Sequence, residues 1–384
     1  MLDALGRPER HFPAIHVGGT NGKGSTCAFL AAELQARGWR VGVYTSPHLV
    51  SPCERIVVDD VPIGEDAFTE WVEQLRPLIE RLDASFFEAI TAIGFADFAA
   101  RGADIAVVEV GLGGRLDATN VLTPLISVVT KIALEHTDYL GTNLHSIARE
   151  KAGIAKPGVP FVTGERDPDV LAQLIQEAKR RGANPIVHVP DSQYPAPDTA
   201  LGLRGSHQRA NAAVAAAILR RLPPPFAAPM GEGATPASFA DAYVPGRFEL
   251  RGKWIFDVAH NPDGMRVVAD TLREIGSTIP RPLHALVGIR NDKDWRAMLD
   301  LLRPVVDRLA LTVPPSIPLM QRWAVTELDG SSGRRAVGPP VSFEPDFERA
   351  LRDIQEGAAS VLVTGSFHTV GDALARLPGF APVG

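Results

Sequence analysis

Residues 14–30, AIHVGGTNGKGSTCAFL, decide how the rest of this chain is read. The first four residues are strand-like. Four glycines follow within seven residues (Gly18, Gly19, Gly22 and Gly24), and an amphipathic run from Thr26 to Arg37 stops at Gly38. Strand, glycine-rich loop and helix in that order free backbone N–H groups and point the positive end of a helix dipole at them, which makes a phosphate cradle. Lys23 is placed to reach the β/γ-phosphates of a nucleotide, and a hydroxyl one turn on is placed to ligate Mg²⁺. The common phosphate-loop spacing is not met, because Gly18 stands one residue too close to Lys23 and Gly24 separates Lys23 from Ser25. A glycine-rich turn with a solvated lysine is the bland alternative; the glycine density and the strand–helix setting favour phosphate. A second cluster, GLGGRL at 111–116, has Leu116 where a dinucleotide fingerprint needs its last glycine, so Rossmann redox chemistry is disfavoured.

Outward from that loop, short apolar runs alternate with longer amphipathic ones, which predicts parallel α/β architecture. Strands are expected at Ile15–Val17, Val41–Tyr44, Ile105–Val110, Ile126–Thr130, Phe161–Thr163 and Ile186–Val189, with a helix over His207–Leu222. Leu222–Pro236 (LPPPFAAPMGEGATP) then breaks the periodicity as a linker would. A second alternation follows, with strands expected at Trp254–Val258, Leu283–Val287, Leu309–Val313 and Val361–Thr364. Two α/β domains are expected, 1–243 and 244–384.

The composition bounds the function. The 384 residues are 45% hydrophobic and 22% charged, with a net charge of −6, so the chain reads as globular with ample core. With no basic block, nucleic acid and anionic membrane are poor partners. The longest nearly apolar run, Ala212–Leu219, is far short of a membrane span, and the first residues lack the apolar core of a signal peptide. Cys27 and Cys53 show no zinc-site spacing. A cytoplasmic protein is expected.

Two acids stand at expected strand ends. Glu109 closes DIAVVEVG, where parallel sheets bind ligands, and a carboxylate buried there needs a partner that Mg²⁺ or an arginine would supply. Asp257 closes WIFDV and is followed by His260, Asn261 and Pro262; a site facing the first domain's loop, or a helix cap at Asn261 alone, would each explain the run. His136 and Lys151 carry no signal of their own. A lone histidine is more often structural, and a lysine beside Glu150 is ordinarily a solvated helix residue.

The ordered set GTNGKGS, SPHL with ERI, SFFEA, EVGLGGRLDATN, EHTDYLG with IAREKAGI, HQRANA, PGRFE, DVAHNPDG, DKDW and TGSFHTV closely resembles the folylpolyglutamate synthase/dihydrofolate synthase family of the Mur ligase superfamily. The resemblance runs from about Leu5 to Ala373. It implies a phosphate-loop domain of Mur-ligase type with a mainly parallel sheet, plus a smaller Rossmann-like α/β domain. It also implies an ADP-forming carboxylate–amine ligase of folate biosynthesis and one-carbon metabolism, acting as a monomer on ATP, L-glutamate and dihydropteroate or a reduced folate. Carried over by position, Thr20, Asn21, Gly22, Lys23, Gly24, Ser25 and Thr26 would hold the nucleotide with Asn211, Arg247, Asp257 and His260. Ser25 and Glu109 would ligate a first Mg²⁺. His136 and Lys151, the latter as a carbamate, would serve a second, and domain closure would assemble the site. Ser85, Phe86, Phe87, Arg115 and Asp117 match the region that approaches the pterin, although a helix-start aromatic pair is ordinarily core. The loop begins at Gly18, earlier than in other members, which predicts either that Met1 is not the true start or that the acceptor site is altered.

Other classes remain as expectations to be tested. A Mur-type ligase acting on a UDP-linked precursor would carry a nucleotide-sugar domain ahead of the loop. A guanine switch would carry NKxD, whereas residues 291–294 read Asn-Asp-Lys-Asp. A relative that binds ATP without ligating would lack some of the phosphate and metal residues, and all are present.

Overall fold

The computed structural model describes residues 1–227, 230–231, 233–322 and 338–379. They form two compact units: residues 1–202 with the described residues of 207–243, and residues 203–206 with the described residues of 244–379.

The first unit is built on strands β1 (Ala14–Gly18), β2 (Val41–Tyr44), β3 (Ile56–Val58), β4 (Val61–Pro62), β5 (Ile105–Glu109), β6 (Ile126–Val129), β7 (Phe161–Thr163) and β8 (Ile186–His188), in the order β4-β3-β2-β5-β1-β6-β7-β8. From β2 to β8 every pairing is parallel; β3 and β4 add an antiparallel edge. Its helices are α1 (Lys23–Ala36), α2 (Glu65–Leu82), α3 (Phe86–Ala100), α4 (Thr137–Leu140), α5 (Leu144–Lys151), α6 (Pro168–Arg180) and α7 (His207–Leu219). β1 and β5 are buried along their whole length, as strands covered on both faces must be. Register sets up the site. Val17 lies opposite Glu109, and Gly18 opposite Val129, so the loop leaving β1 emerges beside the last residue of β5.

The β3–β4 hairpin escaped the sequence reading because its strands are only three and two residues long. Its signal was local: Asp59 and Asp60 both adopt positive φ (50° and 61°), the conformation a tight two-residue hairpin turn requires. The helix expected over His207–Leu222 ends at Leu219, and α1 starts at Lys23, three residues before the expected Thr26. Part of the Leu222–Pro236 stretch is docked. Arg37, at the end of α1, donates to the carbonyls of Phe226 (2.7 Å) and Ala227, and Trp39 packs on Phe226. Residues 228, 229 and 232 of that stretch lie outside the described residues.

The second unit carries β9 (Glu249–Arg251), β10 (Trp254–Phe256), β11 (Leu283–Val287), β12 (Arg308–Leu311), β13 (Val341–Phe343) and β14 (Ser360–Thr364), ordered β13-β12-β11-β14-β10-β9. All pairs but β9–β10 are parallel. Helices α8 (Pro262–Glu274), α9 (Trp295–Leu302), α10 (Phe347–Asp353) and α11 (Phe367–Leu374) accompany the sheet. Its core joins Val268, Leu272, Val287, Met298, Leu302 and Leu309. Among the described residues no helix is long and apolar enough to cross a membrane.

One polar residue sits inside the first unit's core. His16 of β1 is fully buried, and its Nε2 lies 2.8 Å from the hydroxyl of Thr119. Burial, and then the charge of Lys156, lower its pKa to about 3. The unfolded imidazole takes up a proton near pH 6.5 while the folded one does not, so stability present above pH 6.5 drains away as pH falls toward 3. Between pH 7 and 4.5 the wild type is expected to lose about 2–3 kcal/mol through this residue alone. His16→Gln should lack that loss, and urea midpoints for the two proteins at both pH values check it. Parallel pH slopes would contradict a neutral buried His16.

Candidate active site

At the C-terminal edge of β1 the chain turns through Gly19–Gly22 into α1. The loop is pinned from below by the segment after β6: Thr20 N–H donates to Lys131 O (2.7 Å), the Thr20 hydroxyl bonds Ala133 N and O, and Thr130 Oγ1 donates to Asn21 O (2.8 Å). Gly22 caps α1 with φ 89°, and a Cβ there would come within 2.4 Å of Asn211 Oδ1. That approach carries α7 to the phosphate loop, so the structure brings Asn211 and Gly22 together. Lys23 Nζ donates to Thr20 O (3.0 Å) and stands 3.8 Å from Glu109 Oε1. Ser25 and Thr26 are buried in the first turn of α1. A Cβ added at Gly24 would stand 3.6 Å from Glu109 Oε2, which places that carboxylate over the same turn. A hydroxyl and a buried carboxylate flanking a cradle of amides form a hard-oxygen donor set, and these residues fit Mg²⁺.

Lys151 is not the solvated helix lysine its neighbours suggest. It is 3% exposed, its Nζ donates to Gly19 O (2.9 Å), and Glu150 turns away to pair with Arg115 (3.1 Å). Burial first, and then the charge of Lys23, bring its pKa down to about 7 against the pull of Glu135, Asp117 and Glu109. The packing behind it needs glycine: a Cβ on Gly153 would lie 2.4 Å from Arg115 Cβ. His136 stands at the N-cap of α4 with φ 49° and its imidazole 3.3 Å from Glu135. Among the described residues no three His, Cys, Asp or Glu side chains converge as a metal-binding group, and His136 is not gathered with Glu109 in one.

On the other flank, Ser85 caps α3, its hydroxyl exchanging hydrogen bonds with Glu88. Phe86 is 57% exposed, contrary to the core reading of that aromatic pair, while Phe87 is half-buried and its ring fills the space beside Gly111. Leu112 and Leu116 are exposed in the same loop as Arg115. Asp117 is buried; desolvation raises its pKa, opposed by the Thr119 hydroxyl and by backbone N–H groups of Leu112, Thr119 and Gly111. Arg55 and Ser46, from the ERI and SPHL motifs, belong to the same flank, and nothing in the sequence singles out a role for either. Arg55 is buried with its guanidinium 5.3 Å from the centre of the Phe86 ring and its Nε donating to His48 Nδ1 (2.9 Å), and Ser46 N–H donates to Glu109 Oε2 (3.2 Å). Glu54 organises the loop between them by accepting from the N–H groups of Leu49, Val50 and Ser51.

Residues 17–193 match the Mur ligase middle domain and residues 246–367 the Mur ligase, glutamate ligase domain. A dihydrofolate synthase/folylpolyglutamate synthase of Bacillus subtilis is 32% identical over 98% of this chain and 93% of its own length. The chain belongs to the folylpolyglutamate synthase/dihydrofolate synthase family. Among solved structures, Mycobacterium tuberculosis folylpolyglutamate synthase complexed with ADP superposes with a TM-score of 0.86 at 32% identity, covering 99% of this chain and 93% of that one. The bifunctional enzyme of Yersinia pestis, complexed with AMPPNP and Mn, gives 0.81 at 31% identity over 97% and 91%. Like its family, the chain is an ATP-dependent ligase that uses a divalent metal.

The family's second-unit residues form a cluster of their own. Asp257 follows β10, and its carboxylate accepts from Phe248 N and Ala259 N; desolvation raises its pKa, with Arg247 opposing. The Arg247 guanidinium lies 5.5 Å from the centre of the Phe367 ring, and His260 packs on the same ring with Nδ1 2.9 Å from Val258 O. Asn261 is indeed the cap of α8, accepting from Gly264 N (2.7 Å), so the cap and the polar cluster coexist.

Gly22→Ala meets both a positive φ and Asn211, so the loop must shift. The expected result is an ATP KM raised about tenfold or more with a melting temperature changed by only a few degrees, about 1–2 kcal/mol. An unchanged ATP KM would contradict the loop's role as the nucleotide cradle.

Proposed function

We propose that this ligase joins the amino group of L-glutamate to a carboxyl of a pteroate or folate acceptor through an acyl phosphate. The observation that carries this reading is the meeting of Lys23 and Glu109, 3.8 Å apart, at the mouth of a loop built from glycine amides. In the reaction an acceptor carboxylate oxygen attacks the γ-phosphorus and ADP leaves. The amine nitrogen then attacks the acyl carbon, loses a proton and expels phosphate. Such phosphoryl transfer needs positioning and charge neutralisation rather than a protein nucleophile. Thr20, Asn21, Gly22, Lys23, Gly24, Ser25 and Thr26 would cradle the phosphates, with Asn211, Arg247, Asp257 and His260 as further nucleotide contacts. Ser25 and Glu109 would hold a first Mg²⁺, and His136 with Lys151 would serve a second. Bound there, the ions would neutralise the charge that gathers on the transferring phosphoryl group. The exposed rings and side chains of Phe86, Leu112 and Leu116 offer an aromatic acceptor an apolar seat, with Ser85, Phe87, Arg115 and Asp117 around it. Buried free thiols at Cys27 and Cys53 support a reducing, cytoplasmic setting.

Lys151 is proposed to act as a carbamate. Its neutral amine would add to CO₂, forming a nitrogen–carbon bond and releasing one proton, and so become an anionic oxygen ligand. The buried site, its bond to Gly19 O and its proximity to Lys23 support this, since a second ammonium there is disfavoured.

Glutamate-dependent phosphate release from ATP and Mg²⁺, compared with 7,8-dihydropteroate and tetrahydrofolate as acceptors, tests the ligase reading. Release with at least one acceptor is expected, and release with neither would overturn it. Lys23→Ala should raise the ATP KM about tenfold or more. Lys151→Ala should lower kcat about a hundredfold or more and recover part of it in acetate, which supplies the missing carboxylate. An inactive Lys151→Ala that acetate does not rescue, together with no carbamate carbon signal in wild type under ¹³CO₂, would assign Lys151 to work as an amine instead.

A further inference from the structure

The buried His16, in the middle of β1, makes one hydrogen bond that leads out of the core toward the acceptor flank. Its Nε2 lies 2.8 Å from Thr119 Oγ1. The same hydroxyl donates to Asp117 Oδ1 at 2.5 Å, and Thr119 N–H donates to that oxygen at 3.0 Å. Asp117 Oδ2 accepts from Leu112 N at 2.8 Å. A hydroxyl has one proton, and Thr119 spends it on the carboxylate, so Thr119 Oγ1 must accept from His16 and His16 Nε2 must carry the hydrogen. The chain of donors therefore runs in one direction, from His16 through Thr119 to Asp117.

The rest of the imidazole does nothing comparable. Nδ1 finds no hydrogen-bond partner among the described residues, although the ring is fully buried. An apolar side chain in β1 would avoid that unmet nitrogen, as Ile15 and Val17 on either side of it do. What the imidazole adds is a single directed donor, which stops the Thr119 hydroxyl from rotating away from Asp117. Burial opposes ionisation of Asp117, so each donor aimed at it matters.

We propose that His16 is a positioning residue for the acceptor, fixing through Thr119 the orientation and charge of the Asp117 carboxylate that receives the N–H groups of the acceptor's heteroaromatic ring. The proposal rests on the reading of Asp117 as an acceptor residue, and the experiment separates the two. Steady-state kinetics of glutamate-dependent phosphate release are measured for Asp117→Asn, His16→Leu, His16→Gln and Thr119→Val with the better of the two pterin acceptors. Asp117→Asn should raise the acceptor KM about tenfold. His16→Leu and Thr119→Val should each raise it about fivefold or more while the ATP KM stays within about twofold. His16→Gln, whose side-chain amide N–H stands in for the Nε2 hydrogen, should bring the acceptor KM back to within about twofold of wild type. Nitrogen NMR of the wild type at pH 7 should show His16 neutral with hydrogen on Nε2. If Asp117→Asn raises the acceptor KM but His16→Leu does not, whatever Thr119→Val does, or if hydrogen sits on Nδ1, the relay is overturned while the acceptor reading stands. Should His16→Leu fail to fold, His16→Met takes its place, filling the strand position without a donor, because Thr119→Val removes the Thr119–Asp117 bond whatever His16 does. A silent Asp117→Asn overturns both.

Discussion

Two lysines and one carboxylate share a small, largely dehydrated space beneath the glycine loop, and the first unit is organised around that constraint. Lys23, Lys151 and Glu109 come from α1, the end of α5 and the end of β5, and each also bonds backbone close by: Thr20 O, Gly19 O and Ser46 N. Lys151 is 3% exposed while the Lys23 side chain keeps 14%, so burial first, and then the charge of Lys23, bring the deeper amine down to about 7. A polyphosphate entering such a space would meet the Lys23 amine and backbone amides that are already fixed, so little reorganisation would accompany binding.

The same economy governs the flanking loops. Glu54 gathers three successive N–H groups, and Arg115 N–H bonds Glu150 O while its side chain reaches back to the Glu150 carboxylate. Loops held by their own side chains present a defined surface. Here that surface is mixed: exposed Phe86, Leu112 and Leu116 beside the buried charges of Arg55 and Asp117. A flat heteroaromatic acceptor with polar edges suits such a combination of apolar area and a few placed polar groups.

In the second unit, one feature had two competing readings. Asp257 through Pro262 could be a site or simply a helix cap, and both hold because different atoms serve each purpose. Asn261 Oδ1 caps α8, while the Asp257 carboxylate ties Phe248 and Ala259 and faces the charge of Arg247. The missed strands β9 and β13 have a common cause: three-residue edges with polar residues gain their strand character from the neighbour they pair with, not from their own pattern.

Local rules in the sequence determined the alternation of strands and helices, the phosphate loop and the placing of Glu109 and Asp257 at strand ends, because periodicity, glycine content and strand-end position are properties of neighbouring residues. Tertiary structure alone decided the state of the side chains that arrive from elsewhere in the chain. Lys151 looks solvated beside Glu150 and is buried; Phe86 looks like core and is exposed; His16 looks like one residue of a strand and touches Thr119, 103 positions away. Burial, partner and protonation depend on which surfaces the fold brings into contact, and no pattern confined to a short window carries that information.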